Sequence, residues 1–142
     1  MAEIKYESKI GQILANDQQV FAVLSNLENL SHFRNVIPQD KVKELEISKD
    51  RIRMKMDGLA QKISIAIVDK EEFKTIKFGV EDFAIPFNAW IQLKQVAELH
   101  TRIRITVKTD MPVMFKMMFD KKMQIGLDQA IDMLCQVPYD KL

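Results

Sequence analysis

Apolar and polar residues alternate, one for one, through most of the chain between positions 42 and 108. Ile52, Met54 and Met56 alternate with Arg51, Arg53, Lys55 and Asp57. Ile63, Ile65 and Ile67 follow, then Ile76, Phe78 and Val80, then Ala89, Ile91 and Leu93, then Thr101, Ile103, Ile105 and Val107. A period of two sends successive side chains to opposite faces of a strand, so each run has one face for a core and one for water. Val42 to Ser48 reads as a further, irregular strand. The connections between runs are short, which favours an antiparallel meander of six strands. Asp57-Gly58 suits a tight turn within it, because glycine tolerates positive φ. A sheet with one apolar face has to be covered on that face.

The rest of the chain supplies the cover and one more strand. Ile4, Tyr6, Ser8 and Ile10 alternate with Lys5, Glu7, Lys9 and Gly11, again the period of a half-buried strand. Asn16 reads as a helix N-cap with Gln19 as its reciprocal partner, and Val20, Phe21, Val23, Leu24 and Leu27 follow at helical spacing. Ser31 caps a second short helix carrying Phe33, Val36 and Ile37, which Pro38 closes. The chain ends in a long helix: Pro112 suits its first position, and the pattern runs to about Gln136, before Pro138. At ~1.5 Å per residue such a helix is roughly 37 Å long. The expectation is an α+β protein, a single domain over residues 1–142, with seven antiparallel strands, two short helices after the first strand and the long C-terminal helix over the sheet.

Composition narrows the function classes. The chain is 47% hydrophobic and 29% charged, ordinary for a globular domain, and its net charge of +1 argues against a nucleic-acid partner. A lone cysteine, Cys135, permits no internal disulfide. Met1 to Lys5 lacks the apolar run of a signal peptide, and no stretch reaches the length of a membrane span, so a cytoplasmic location is expected. Arg51, Arg53, Lys55, Lys62, Lys77, Arg102, Arg104 and Lys108 share the outward phase of the strands. They are read as a solvated face that resists edge aggregation, the alternative being a site for an anionic surface.

The order of elements resembles the helix-grip fold of START-like, Bet v 1-like and polyketide-cyclase-like proteins. The Met-Pro-Val-Met-Phe-Lys-Met-Met stretch from Met111 is similar to the start of the final helix in some bacterial members. The resemblance implies a curved sheet gripping the C-terminal helix with a cavity between them, and it permits a cyclase- or aromatase-like activity.

That final helix carries more apolar surface than one core requires. At 100° per residue, Phe115, Phe119, Met123, Gly126, Ala130, Met133, Leu134 and Val137 form one stripe, expected to pack on the sheet. Met111, Met114, Met118 and Ile125 form a second. In a meander, connections two apart lie at one end of the sheet. The 57–60 turn, the 82–88 loop and the junction into the last helix are therefore expected to gather Leu59, Phe83, Ile85, Phe87, Met111, Met114 and Met118. Three readings stay open: a pliable, methionine-rich mouth to an apolar cavity, a patch for self-association or a protein partner, or a filled core beneath a closed loop. On the first reading the ligand-binding residues from the sheet, short helix and loop are Tyr6, Phe33, Met54, Met56, Phe78, Phe83, Phe87 and Ile91. The terminal helix adds Met114, Phe115, Met118 and Phe119.

Signs of chemistry are sparse. There is no His/Cys/Asp cluster at metal spacing and no glycine-rich phosphate loop, so neither metal nor cofactor is expected. His32 is read as a surface or capping residue or as an acid/base at the cavity, and His100 as solvent-facing. Cys135 reads as a small buried hydrophobe. Trp90 shares the outward phase, and would stack on a ligand only if that strand were shifted. Tyr6 and Ser8 either orient a ligand headgroup or satisfy backbone groups. Binding of an apolar small molecule (a lipid, isoprenoid or polyketide-like compound) is the first function expected. A cyclase-like enzyme using His32 or Tyr6, and an interaction module or homodimer built on the apolar end, are the alternatives.

Overall fold

The computed structural model of the chain describes residues 2–29, 42–56, 62–81 and 86–139. The elements are β1 (Ala2–Glu7), β2 (Gly11–Ile13), α1 (Asp17–Leu24), β3 (Val42–Ile47), β4 (Arg51–Met56), β5 (Ile63–Glu71), β6 (Thr75–Glu81), β7 (Phe87–Ala97), β8 (His100–Met111) and α2 (Val113–Cys135). The expected short helix from Ser31, with His32 and Phe33, lies outside the described residues, as do the Asp57-Gly58 turn, Leu59, Phe83 and Ile85.

Among the described residues eight strands join one antiparallel sheet in the order β1-β8-β7-β6-β5-β4-β3, with β2 also on β8. The meander is thus the one expected from the alternation, and the chain's first strand closes its far edge. Register carries the apolar phase across the sheet. Tyr6, Val107, Ala89, Phe78 and Ile67 face one another in one row, and Ile105, Ile91 and Ile76 in the next. Ile76 and Ile103 are wholly buried. Removing such a side chain from water contributes about 1.5–3 kcal/mol each.

The expected seven strands become eight because the first is broken. Between β1 and β2, Ser8 takes over one rung of the ladder with its side chain. Its backbone N–H donates to the Ile105 carbonyl at 2.8 Å, while its hydroxyl accepts the Ile105 N–H at 2.9 Å and donates to the Lys9 carbonyl at 2.8 Å. Of the two inward hydroxyls, Ser8 therefore serves the backbone.

Helix α1 begins with the expected capping box: Asn16 Oδ1 accepts from the Gln19 N–H at 2.8 Å, and Gln19 Oε1 accepts from the Asn16 N–H at 3.0 Å. Its Val20, Val23 and Leu24 enter the core. Helix α2 follows Pro112 directly and ends at Cys135. Past that end, the buried Tyr139 hydroxyl donates to the Leu134 carbonyl at 2.7 Å, satisfying an acceptor that the helix leaves open.

The second half of α2 sits on β2 and β8 because position 11 has no side chain. A Cβ there would lie 2.6 Å from Cys135 Sγ, 2.6 Å from Ile131 Cγ2 and 3.0 Å from Ile103 Cγ2. Gly126 is the opposite case: it is exposed in mid-helix, and a Cβ would meet nothing within 4 Å. Gly11→Ala is expected to cost about 1–3 kcal/mol through overpacking. Gly126→Ala is expected to add about 0.5–1 kcal/mol through helix propensity. Urea denaturation of the two variants measures both signs.

Candidate functional site

Helix α2 buries only Leu127 and Ile131 fully, and its main contacts with the sheet are to β1, β2 and β8. Ala130, Leu134 and Cys135 are partly buried against the same core. Closer to the helix start, Phe119 and Met123 are also partly buried, while Phe115 is 39% exposed. On the sheet, Ile52, Ile65, Ile67, Phe87, Ala89 and Ile91 are likewise packed on the core but incompletely covered. Two sets of half-covered apolar side chains result, one on the first half of α2 and one on the inner face of β4 to β7.

Register shows which junctions share an end of the sheet. Met54 pairs with Ile63, Ser64 with Glu81, and Phe87 with Thr109, two residues before β8 ends at Met111. The β4–β5, β6–β7 and β8–α2 connections therefore lie at one end. Thr109, buried and inward, donates its hydroxyl to the Pro86 carbonyl at 2.8 Å, tying the end of the 82–88 loop to the strand that leads into α2.

A polar seam joins α2 to the edge strand at a spacing of four residues. The Tyr6 hydroxyl donates to Asp120 Oδ1 at 2.7 Å, and Gln124 Nε2 donates to the Glu7 carbonyl at 3.0 Å. The Lys9 N–H donates to Asp128 Oδ1 at 2.7 Å, and the Lys9 ammonium meets Asp132 at 2.7 Å. One turn before Asp120, Lys116 Nζ donates to Asp120 Oδ2 at 2.7 Å. Burial first, then the bond to Asp120 and its negative charge, push the Tyr6 phenol up to about 12. The Lys116 and Tyr6 hydrogen bonds hold the Asp120 carboxyl below its ordinary value. At neutral pH Tyr6 is thus a phenol and Asp120 a carboxylate. Asp120 accepts one hydrogen bond from the phenol and one from the Lys116 Nζ, which leaves two N–H donors on Lys116. A phenol titrating near 12 is poorly matched to base catalysis at neutral pH; orienting a polar head is the chemistry the group suits best.

The sequence-derived candidates fall in different places. Phe78 is buried in the core, as is most of Tyr6. Met54, Phe87, Ile91 and Phe119 are partly buried on the inner side. Met114 and Met118 are 76% and 63% exposed. Phe33 and Phe83 lie outside the described residues; Met56 ends β4, and only its backbone is described. Trp90 faces outward, with the ammonium groups of Lys77 and Lys108 at 5.4 and 5.6 Å from its ring centroid. The His100 ring contacts the Gln12 side chain. Burial pushes the Cys135 thiol up, as suits an inert residue. Sequence reasoning missed Lys116 and Asp120. The usable signal was the four-residue repeat of Asp120, Gln124, Asp128 and Asp132.

No family model and no curated protein matches the chain at the level of sequence. Solved structures do match. Norcoclaurine synthase from Thalictrum flavum, in complex with dopamine and hydroxybenzaldehyde, has a TM-score of 0.75 at 12% identity, over 95% of this chain and 86% of that one. A START superfamily protein from Mycobacterium smegmatis has a TM-score of 0.62 at 11% identity, over 94% of each chain. A protein from Chromobacterium violaceum has a TM-score of 0.60 at 13% identity, over 95% of this chain and 96% of that one. At these identities the likeness is one of fold: the chain adopts the helix-grip fold of START-like and Bet v 1-like proteins, as its element order implied.

The shared carboxylate gives the seam a pH signature. Folding lowers the pKa of Asp120, so its contribution to stability is present above the ordinary value of 3.8 and is lost as pH falls through the folded value. A side-chain carboxyl titration followed by NMR is expected to place Asp120 below 3.8. Lys116→Met is expected to raise that midpoint more than Tyr6→Phe does, because the lysine bond is the larger cause.

Proposed function

We propose that the chain binds or carries an apolar small molecule (a lipid, isoprenoid or polyketide-like compound) in the space between the inner face of the sheet and the first half of α2. The observation that carries this is the pair of half-covered apolar walls, Phe115, Phe119 and Met123 on the helix and Ile52, Ile65, Ile67, Phe87, Ala89 and Ile91 on the sheet. A ligand lying between them finishes the burial that the chain leaves incomplete. Roughly 300 Å² of ligand surface at about 25 cal/mol per Å² contributes at most about 7.5 kcal/mol before the cost of ordering the ligand. The Lys116–Asp120–Tyr6 group stands on the same half of the helix and supplies the few polar contacts by which an apolar pocket orients its guest. The neighbour from Thalictrum flavum, captured with two small aromatic molecules, supports a ligand-holding use of this fold.

A cyclase-like enzyme is the second reading. It is favoured by one observation, the inward phenol of Tyr6 tied to a carboxylate and an ammonium.

Native mass spectrometry of protein purified from cells is expected to show an apolar adduct, and Ile91→Trp, which fills the trough from the sheet side, is expected to lose it while keeping its circular dichroism spectrum. The reading fails if the wild-type protein carries no adduct and takes up no member of a panel of fatty acids, isoprenoid alcohols and aromatic polyketides. Turnover of a panel member that Tyr6→Phe abolishes without changing its binding would move the assignment to the enzyme.

A further inference from the structure

The outward side of the first half of α2 is not explained by ligand binding. Met114, Met117 and Met118 are 76%, 83% and 63% exposed, and Val113 is 64% exposed. At 100° per residue, Met114, Met117, Met118, Lys121 and Ile125 fall within a sector of about 100°, centred about 110° from Asp120 and about 130° from Leu127. Charge is ordered along the axis of this face. The methionines come first; Lys121 and Lys122, both exposed and without an ion pair among the described residues, follow one turn later. Asp120, the acid among them, is engaged by Tyr6 and Lys116. The next acids, Asp128 and Asp132, lie about two and three turns beyond the lysines and are bound to Lys9.

We propose that this end of the molecule docks on a lipid surface bearing anionic headgroups, with the methionines in the apolar layer and Lys121 and Lys122 at the phosphates. An apolar tip followed one turn later by cations matches the depth order of acyl chains and headgroups. Unbranched methionine side chains conform to a fluid layer as readily as to a fixed groove. Among the described residues no helix is long and apolar enough to cross a membrane, so the contact is peripheral. The inference goes beyond the proposed ligand trough and does not require it to be occupied.

Co-sedimentation with vesicles tests it, using phosphatidylcholine alone and phosphatidylcholine with added phosphatidylglycerol. The protein is expected to bind the anionic vesicles, less so as sodium chloride is raised. Lys121→Gln with Lys122→Gln is expected to weaken binding roughly thirtyfold. Met117→Asp with Met118→Asp is expected to abolish it. All four positions are exposed, and circular dichroism checks that the variants fold. No binding to anionic vesicles, equal binding to neutral ones, or variants that bind like the wild type would overturn the proposal. So would a dimer in light scattering that Met118→Asp splits into monomers, because it assigns the methionines to a second copy of the chain. None of these outcomes bears on whether an apolar adduct is seen by mass spectrometry, so the two proposals fail separately.

Discussion

The rest of the structure depends on the close approach of α2 to the sheet at Gly11. Ile131 and Cys135 occupy the volume that any side chain at position 11 would take, and Ile103 closes the contact from β8. No residue of α2 before Leu127 is fully buried. The helix is therefore seated by its second half, where Leu127 and Ile131 meet a core that also includes Ile13, Val137 and Tyr139. Seating one half of a continuous helix fixes where the other half can lie. The first half passes over the sheet with its apolar residues only partly covered.

Apolar burial alone would leave that first half free to roll about its axis. The seam from Asp120 to Asp132 restricts it. Each contact joins partly exposed groups and, taken alone, adds little to stability. Their value lies in direction. Tyr6, Glu7 and Lys9 are consecutive points along the edge of the sheet, and a helix that answers them at every fourth residue has one rotation open to it. In that rotation Phe119 and Met123 turn toward the core, and Met114, Met117 and Met118 turn away from it. Burial and then the bond to Asp120 raise the Tyr6 pKa, and the Lys116 and Tyr6 bonds lower that of Asp120, so the group that orients the helix is also the one whose ionisation the fold perturbs.

The fold was legible because its strongest signal is local. Strand phase followed from alternation of two, and even the outward Trp90 sits where its phase placed it, between Lys77 and Lys108. The box at Asn16 and Gln19 was readable because both partners are three residues apart. The break after β1 was not, because nothing in the alternation of Ile4 to Gly11 distinguishes a serine that faces the core from one whose hydroxyl replaces a backbone acceptor. The helix was readable as a helix but not in its rotation. The apolar stripe through Phe115 points to one seat, whereas Leu127 and Ile131, outside that stripe, take the deepest places. What decides the rotation is long-range: Tyr6 and Asp120 are 114 positions apart. Lys116 and Asp120 look like an ordinary surface pair at helical spacing until the edge strand is beside them.

The first half of α2 is apolar on two sides, and the chain uses only one. Apolar residues on a second side of a helix mark a face that something else can cover. Each large side chain left in solvent forgoes about 1.5–3 kcal/mol of burial. Folding does not depend on that energy, since the seat at Leu127 and Ile131 and the seam along β1 lie elsewhere. The burial therefore remains available to a contact outside the chain. Its position matters as much as its amount. The exposed methionines sit at the end of the sheet where the β4–β5, β6–β7 and β8–α2 connections meet.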